Sequence, residues 1–125
     1  MNYLLVFVGG GLGAAARYGV NVGVGRMNPT EFPWHTLIIN VTGCFIMGVL
    51  TEAMVLRFNV SQELRLFLTT GIMGGYTTFS AFALDYALLF ERRDFISAAA
   101  YVLASVIGAL LACFAGLAIV RALYS

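Results

Sequence analysis

The stretch TTGIMGGYTTFSAF (residues 69–82) lies at the centre of the third of four long apolar stretches in this chain. Two adjacent glycines, Gly74 and Gly75, precede Tyr76 and two β-branched threonines, and this combination forms helix poorly in any solvent. Within a membrane, the amides and carbonyls of a broken helix are costly unless protein groups or a ligand satisfy them. The stretch therefore predicts a span that is broken over residues 74–78, close to the bilayer midplane.

The composition places this break in lipid. Of the 125 residues, 61% are hydrophobic and 10% are charged, whereas soluble domains have about 45–50% apolar and about 25% charged residues. Each apolar stretch has the roughly 20 residues that a helix needs to cross a hydrocarbon core. We predict an all-α membrane protein with one transmembrane domain (1–125) and no nucleic-acid partner, whose four spanning helices cover about 3–25, 35–57, 64–90 and 95–120.

The first span carries glycines four residues apart, at Gly9 and Gly13 and again at Gly19 and Gly23. Small residues at this spacing let two helices approach closely, which replaces the missing hydrophobic force between helices in lipid. We expect the first span to be a packing helix.

The basic residues are all arginines, and four crossings divide them almost evenly between the two faces of the membrane. One face receives Arg57, Arg65 and Arg121. The other receives Arg26, Arg92 and Arg93, with Arg17 inside the first span on the same side. Because orientation depends on an imbalance of positive charge, we expect insertion in both directions and an antiparallel homodimer. The alternative is a fixed orientation set by Arg92 and Arg93.

Three polar side chains lie at unusual depth. Arg17 and Asp85 sit well inside their spans, where a charge needs a partner or water, and the sequence leaves open whether they pair. Asn40 lies inside the second span, where a partner helix or a ligand must satisfy its amide. On the fourth span, Tyr101 and Ser105 share a face. Taken alone, a bond of Ser105 to its own helix and an interfacial position for Tyr101 explain them better.

The break itself implies a ligand. Unwound carbonyls without a neighbouring carboxylate suit a hard monovalent cation such as Na⁺, and a twofold axis through the break would double the number of ligands. The alternative is a kink that Ser and Thr hydroxyls satisfy. After the break, Phe79 and Phe82 share a helical face beside Thr78 and Ser80. Aromatic edges carry positive potential and can contact an anion, but core packing explains the same spacing.

Three motifs together resemble the Fluc (CrcB) family of bacterial fluoride channels over essentially the whole chain. They are GGxGxxxRY at residues 10–18, TLxxNxxG at 36–43 and GxxGGxTTFSxF at 71–82. The resemblance implies a dual-topology antiparallel dimer in the bacterial inner membrane, which passively exports fluoride and holds a structural Na⁺ at its centre.

The resemblance also implies roles for individual residues. The sodium ligands would be the carbonyls of Gly74 and Thr77 from both subunits. The fluoride pathway would use Asn40, Thr78, Phe79, Ser80, Phe82, Tyr101 and Ser105. Arg17 would lie near an aqueous vestibule, and Asp85 falls where many members carry glutamate. The chain departs from the family pattern at His35, Ala81 and Ala109.

Functions of other classes fit the sequence less well. A proton-coupled small multidrug exporter needs a carboxylate in its first span, and residues 1–25 contain no Asp or Glu. A membrane assembly subunit without transport activity would leave the broken span unexplained. We do not expect enzymatic activity, because the sequence shows no arrangement in which a general base would lie beside a nucleophile.

Overall fold

The computed structural model describes residues 1–28, 32–56 and 60–124, all within or next to helices. Three helices are long and apolar enough to cross a membrane: α1 (Asn2–Met27), α2 (Trp34–Leu56) and α6 (Phe95–Tyr124). The third span consists of shorter pieces, which are α3 (Gln62–Arg65), a π-helix π1 (Leu66–Met73), α4 (Gly74–Tyr76) and α5 (Phe79–Glu91). The prediction of an all-α chain with four helical segments, the third of them broken, is thus confirmed. Arg57 of the charge count lies outside the described residues.

The break is narrower than the sequence predicted. Helix α4 ends at Tyr76, and only Thr77 (φ −82°, ψ 157°) and Thr78 (φ −152°, ψ 119°) are extended before α5 begins. The prediction that Gly74 and Gly75 belong to the unwound part was wrong, because both lie in a helical turn. The extended residues are the β-branched threonines, which prefer this backbone conformation.

Glycines let the first half of the third span lie directly on α1. A Cβ atom on Gly13 would collide with the carbonyl oxygen of Ile72, and one on Gly75 would collide with the carbonyl oxygen of Gly10. At this distance only hydrogen side chains fit between the two backbones. By contrast, the second glycine pair of α1, Gly19 and Gly23, faces open space in the described chain.

A second helix pair is formed by α2 and α6, which pack on each other more extensively than any other elements. A Cβ atom on Gly48 of α2 would meet the backbone of Cys113, and one on Gly116 of α6 would meet the backbone of Phe45. Near the end of this pair, the Arg121 Nε donates to Glu52 Oε1 at 2.9 Å and Arg121 Nη2 donates to Glu52 Oε2 at 3.3 Å. The pairing stabilises a carboxylate that is largely buried.

The break transfers the third span from one helix pair to the other. Before the break, π1 and α4 pack on α1, whereas after it α5 packs on α6. A sharp turn then joins α5 to α6. Arg93 adopts a left-handed conformation (φ 61°) there, and the Asp94 amide donates to the Leu89 carbonyl as in a Schellman cap. Helices α1, α2 and α6 therefore pack on the helical pieces that flank the two extended threonines.

Candidate functional site

The side chain of Asn40 closes the break from α2. Its Nδ2 donates to the Thr78 carbonyl at 3.0 Å, and its Oδ1 accepts from the Thr78 amide at 2.9 Å. Both backbone groups of an unwound residue are thus satisfied by one side-chain amide, which answers the requirement that buried backbone be paired. One hydrogen of the Asn40 NH₂ group is left for another acceptor.

Further contacts from α2 fix the residues just before the break. The hydroxyls of Tyr76 and Thr42 lie 2.9 Å apart. Because Thr42 Oγ1 also lies 2.7 Å from the Ile38 carbonyl, which can only accept, Tyr76 is the donor to Thr42. Gly43 leaves room for the Thr77 side chain, whose methyl group occupies the place of a Cβ. The segment is therefore held by α2 on one side and by α1 on the other.

The break changes the partners of nearby carbonyls. In a continuous α-helix the Thr78 amide would donate to the Gly74 carbonyl, but here it donates to Asn40. The Met73 carbonyl accepts from both the amide and the hydroxyl of Thr77 at 3.0 Å. Gly74 itself is exposed in the single chain. The Gly74 carbonyl oxygen thus lacks the Thr78 amide that a continuous helix would give it.

The second half of the span begins with a side-chain cap. Thr78 Oγ1 accepts from the Ala81 amide at 3.2 Å and lies 3.3 Å from the Ser80 hydroxyl. This cap replaces one hydrogen bond that the first turn of α5 would lack. Thr78 thus anchors the start of α5 with its side chain, while its backbone is bonded to Asn40.

A cavity of about 330 Å³ opens beside the break. It brings together residues of α2, the break, α5 and α6, namely Asn40, Cys44, Thr77, Thr78, Phe79, Phe82, Ser105, Val106, Ala109 and Leu110. Five of the predicted pathway residues therefore line one space. No charged side chain is among these described lining residues. Ser80 and Tyr101, also predicted for the pathway, do not line it.

Among the described lining residues, Ser105 has a buried hydroxyl without a hydrogen-bond partner. Its side chain is 6% exposed, and its Oγ has no hydrogen-bond partner among the described residues. A buried hydroxyl without a partner costs about 1–3 kcal/mol. A donor held in this state is suited to a ligand that enters the cavity.

Tyr101 is placed beside the cavity and bound to Asp85. The Tyr101 side chain is fully buried, and its hydroxyl donates to Asp85 Oδ2 at 3.1 Å. The same carboxylate oxygen accepts from Thr36 Oγ1 at 2.7 Å. Asp85 therefore receives two hydroxyl donors within the span, as the depth of its charge requires.

Arg17 takes no part in this cluster. The part of the chain that the structure describes contains no ion pair between Arg17 and Asp85, and Arg17 is half-buried on α1. The open question of their pairing is thus answered within the single chain. The carboxylate is satisfied by hydroxyls instead.

The aromatic side chains of α5 continue into this cluster. The ring centroids of Phe79 and Phe82 lie 5.5 Å apart, and those of Phe82 and Tyr101 lie 5.2 Å apart. Phe79 is 80% exposed in the single chain. Phe82 therefore joins the wall of the cavity to the buried hydroxyls.

Two residues of the site, Thr36 and Cys44, were not predicted from the sequence. Thr36 lies one turn before Asn40 on the same face of α2, and this spacing was the signal that could have found it. Cys44 lies one turn after Asn40 and also lines the cavity. Within the described residues there is no group of three His, Cys, Asp or Glu side chains that could hold a metal ion. A metal at the break would depend on backbone oxygens.

Comparison with known proteins gives a consistent result. A family model described as CrcB-like protein, Camphor Resistance (CrcB), matches residues 4–117. A protein of Rhodopseudomonas palustris (strain BisB5) named fluoride-specific ion channel FluC is 55% identical over 98% of this chain and 99% of its own length. Proteins of Nitrobacter hamburgensis and a Chelativorans species, also named fluoride-specific ion channels, are 53% and 51% identical over 97% and 98% of this chain, and 98% of their own lengths.

Proposed function

This chain belongs to the CrcB family, and from that membership we propose that it is a fluoride-selective ion channel of the membrane, through which fluoride leaves the cytoplasm passively. The observation that carries the proposal within the molecule is the unpartnered Ser105 hydroxyl in a cavity lined by Asn40, Phe79 and Phe82. These donors and ring edges are suited to a small anion.

The chemistry of the cavity supports passage rather than capture. Fluoride is small and strongly hydrated, so a selective path must replace its water with donors and still release it. Ser105 and the second hydrogen of the Asn40 NH₂ group can donate, and the phenylalanines present weakly positive edges. Because the described lining residues include no Lys or Arg, no fixed positive charge would trap the ion.

We further propose that two antiparallel copies form the channel. The near-even distribution of arginines supports insertion in both directions. The cavity also lies open at Phe79, which is 80% exposed beside two unwound residues. Unwound backbone in lipid is tolerated only where protein or water covers it, and a second copy would supply that cover. The bacterial inner membrane is the location that this proposal implies.

A structural Na⁺ between the two copies fits the donors at the break. The Gly74 carbonyl lacks the amide that a continuous helix would give it, and Gly74 is exposed in the single chain. Neutral carbonyl oxygens without a carboxylate suit a hard monovalent cation. The Gly74 and Thr77 carbonyl oxygens of each copy would bind the ion. Its positive charge would attract these oxygens from both copies and so stabilise the dimer at the break.

The sodium proposal is tested by its density. Crystals of the dimer should show a peak on the twofold axis between the Gly74 and Thr77 carbonyls, at distances typical of sodium. A break whose carbonyls bind only one another or water would contradict it. Removing Na⁺ from the buffer is a weaker test, since a buried ion exchanges slowly.

The pathway is tested by efflux from liposomes that contain the purified protein, followed with a fluoride electrode. We expect wild-type protein to release trapped fluoride, and Phe79→Ile and Phe82→Ile to lower the rate at least tenfold while each variant still forms the dimer. Tyr86→Ile, which removes an aromatic ring on α5 outside the cavity lining, is the matched control. Wild-type rates in both phenylalanine variants would place the pathway elsewhere.

A further inference from the structure

The aromatic contacts do not stop at Tyr101. The ring of Phe32 lies against Tyr101 with a centroid distance of 5.6 Å and an interplanar angle of 89°, which is an edge-to-face contact. Phe32 in turn contacts Trp34 at 4.7 Å. Together with the two inner contacts, these make a continuous series of five rings, which we call the aromatic series: Phe79, Phe82, Tyr101, Phe32 and Trp34.

Phe32 is held in place at the beginning of α2. Its carbonyl accepts from Asn28 Nδ2 and from the Trp34 amide, both at 2.8 Å. Pro33, which follows it, is buried, and the Phe32 ring packs on the core formed by Leu89, Ala98 and Tyr101. A residue outside any helix is thus fixed by its backbone and by its ring.

The position of Phe32 matters because of what it covers. Tyr101 and Thr36 are 0% and 2% exposed, and both donate their hydroxyls to Asp85. Phe32 is the ring that packs on Tyr101 from the segment before α2, where the chain enters the membrane. Tyr101 and Phe32 lie between the cavity wall at Phe82 and the beginning of α2, so an anion that moved along this series would meet ring edges, which carry positive potential.

We propose that Phe32 is a further residue of the fluoride pathway, the outer continuation of the Phe79–Phe82 pair, which sets the rate at which the ion passes between Tyr101 and the membrane surface at the beginning of α2. This inference rests on the proposed channel function. Phe32 offers the ion a ring edge and, by packing on Tyr101, keeps that ring against Phe82. Its role is therefore both contact and positioning.

Two variants of Phe32 distinguish the effect of the aromatic ring from the effect of side-chain volume. Phe32→Leu removes the ring edge but keeps an apolar side chain of similar size, whereas Phe32→Tyr keeps the ring. In fluoride efflux from liposomes, we expect the leucine variant to be at least tenfold slower than wild type and the tyrosine variant to stay within about threefold. Phe95→Leu is the matched control, because Phe95 contacts Phe90 outside the aromatic series.

Equal efflux rates for the Phe32→Leu variant and the wild-type protein would show that passage of the ion does not depend on this ring. Equal losses in the leucine and tyrosine variants, with both dimers intact, would show a packing role alone. If wild-type protein itself released no fluoride, the proposed function would fail. Normal wild-type efflux with a normal Phe32→Leu variant would overturn only the inference about Phe32.

Discussion

Asn40 illustrates how one side chain makes a broken helix tolerable in a membrane. Its amide matches both polar groups of the Thr78 backbone, so that the break needs no water there. The sequence required a partner for Asn40 and a partner for the break, but it did not show that each is the partner of the other. That relation depends on the packing of α2 against the third span, which spacing along the chain does not encode.

The Asn40 pairing predicts a stability effect. In Asn40→Ala the Thr78 amide and carbonyl lose their partner, and we expect the free energy of unfolding to fall by about 2–6 kcal/mol, from about 1–3 kcal/mol for each unpaired group. Asn40→Asp keeps the acceptor for the amide, but its carboxylate would face the Thr78 carbonyl and lose its water, so it should be at least as destabilising as alanine. Thermal unfolding in detergent measures both, and an alanine variant as stable as wild type would contradict the pairing.

A substitution at Ser105, unlike one at Asn40, should lower fluoride efflux without lowering stability. Because its hydroxyl has no partner in the described chain, we expect Ser105→Ala to keep or slightly raise the unfolding temperature while lowering fluoride efflux several-fold. Ala109, one turn further on α6, lines the same cavity. Adding Ala109→Ser to the Ser105→Ala variant returns a hydroxyl to the cavity and should recover part of the efflux. A loss of stability with unchanged efflux would make Ser105 a structural residue.

Among the helices, the interruption of the third span was predicted from the sequence, but the residues at which it occurs were not. Helix propensity located its interruption, since Gly74 and Gly75 followed by threonines predict poor helix. The same glycines are helical, however, because they serve the close contact between α4 and α1. Propensity reports on backbone freedom alone, and it does not distinguish a glycine that unwinds a helix from one that lets two helices touch. The π-helix at Leu66–Met73 also gave no sequence signal.

The contact between α1 and the third span predicts a position-dependent response to alanine. In Gly13→Ala the new methyl group would meet the carbonyl oxygen of Ile72, and we expect a loss of about 1–3 kcal/mol from the forced separation of the backbones. Gly25→Ala, on the same helix but in open space, is the control and should change stability by less than about 1 kcal/mol. Equal melting temperatures for the two variants would argue against the close crossing.

At the scale of the whole molecule, the four spans form two helix pairs joined through the break. Composition predicted the number of spans, because apolar length alone decides whether a helix can cross lipid. The partner of each span and the hydroxyl cluster around Asp85 were not predictable, since they depend on which faces of the helices meet. The proposed dimer belongs to this scale, because the exposed Phe79 and the open break need a cover that the single chain lacks.

The arginine balance predicts how the topology can be shifted. Gln62→Arg with Glu63→Arg adds positive charge at the start of the third span, and Met27→Arg with Glu91→Arg adds it on the opposite face. Each pair should bias insertion to one orientation, measured with a reporter at the C-terminus, and should lower efflux when expressed alone. Expressing both pairs together should restore efflux. Full activity from either pair alone, in a single orientation, would contradict the antiparallel dimer.

Fluoride selectivity is tested most directly by the efflux of fluoride and chloride from the same liposomes, followed simultaneously with two ion-selective electrodes and with protein-free liposomes as the baseline. We expect rapid release of fluoride while chloride stays at that baseline, because the cavity offers hydrogen-bond donors to a small anion and no fixed positive charge among its described lining residues. Release of both ions at equal rates, or of neither, would contradict it.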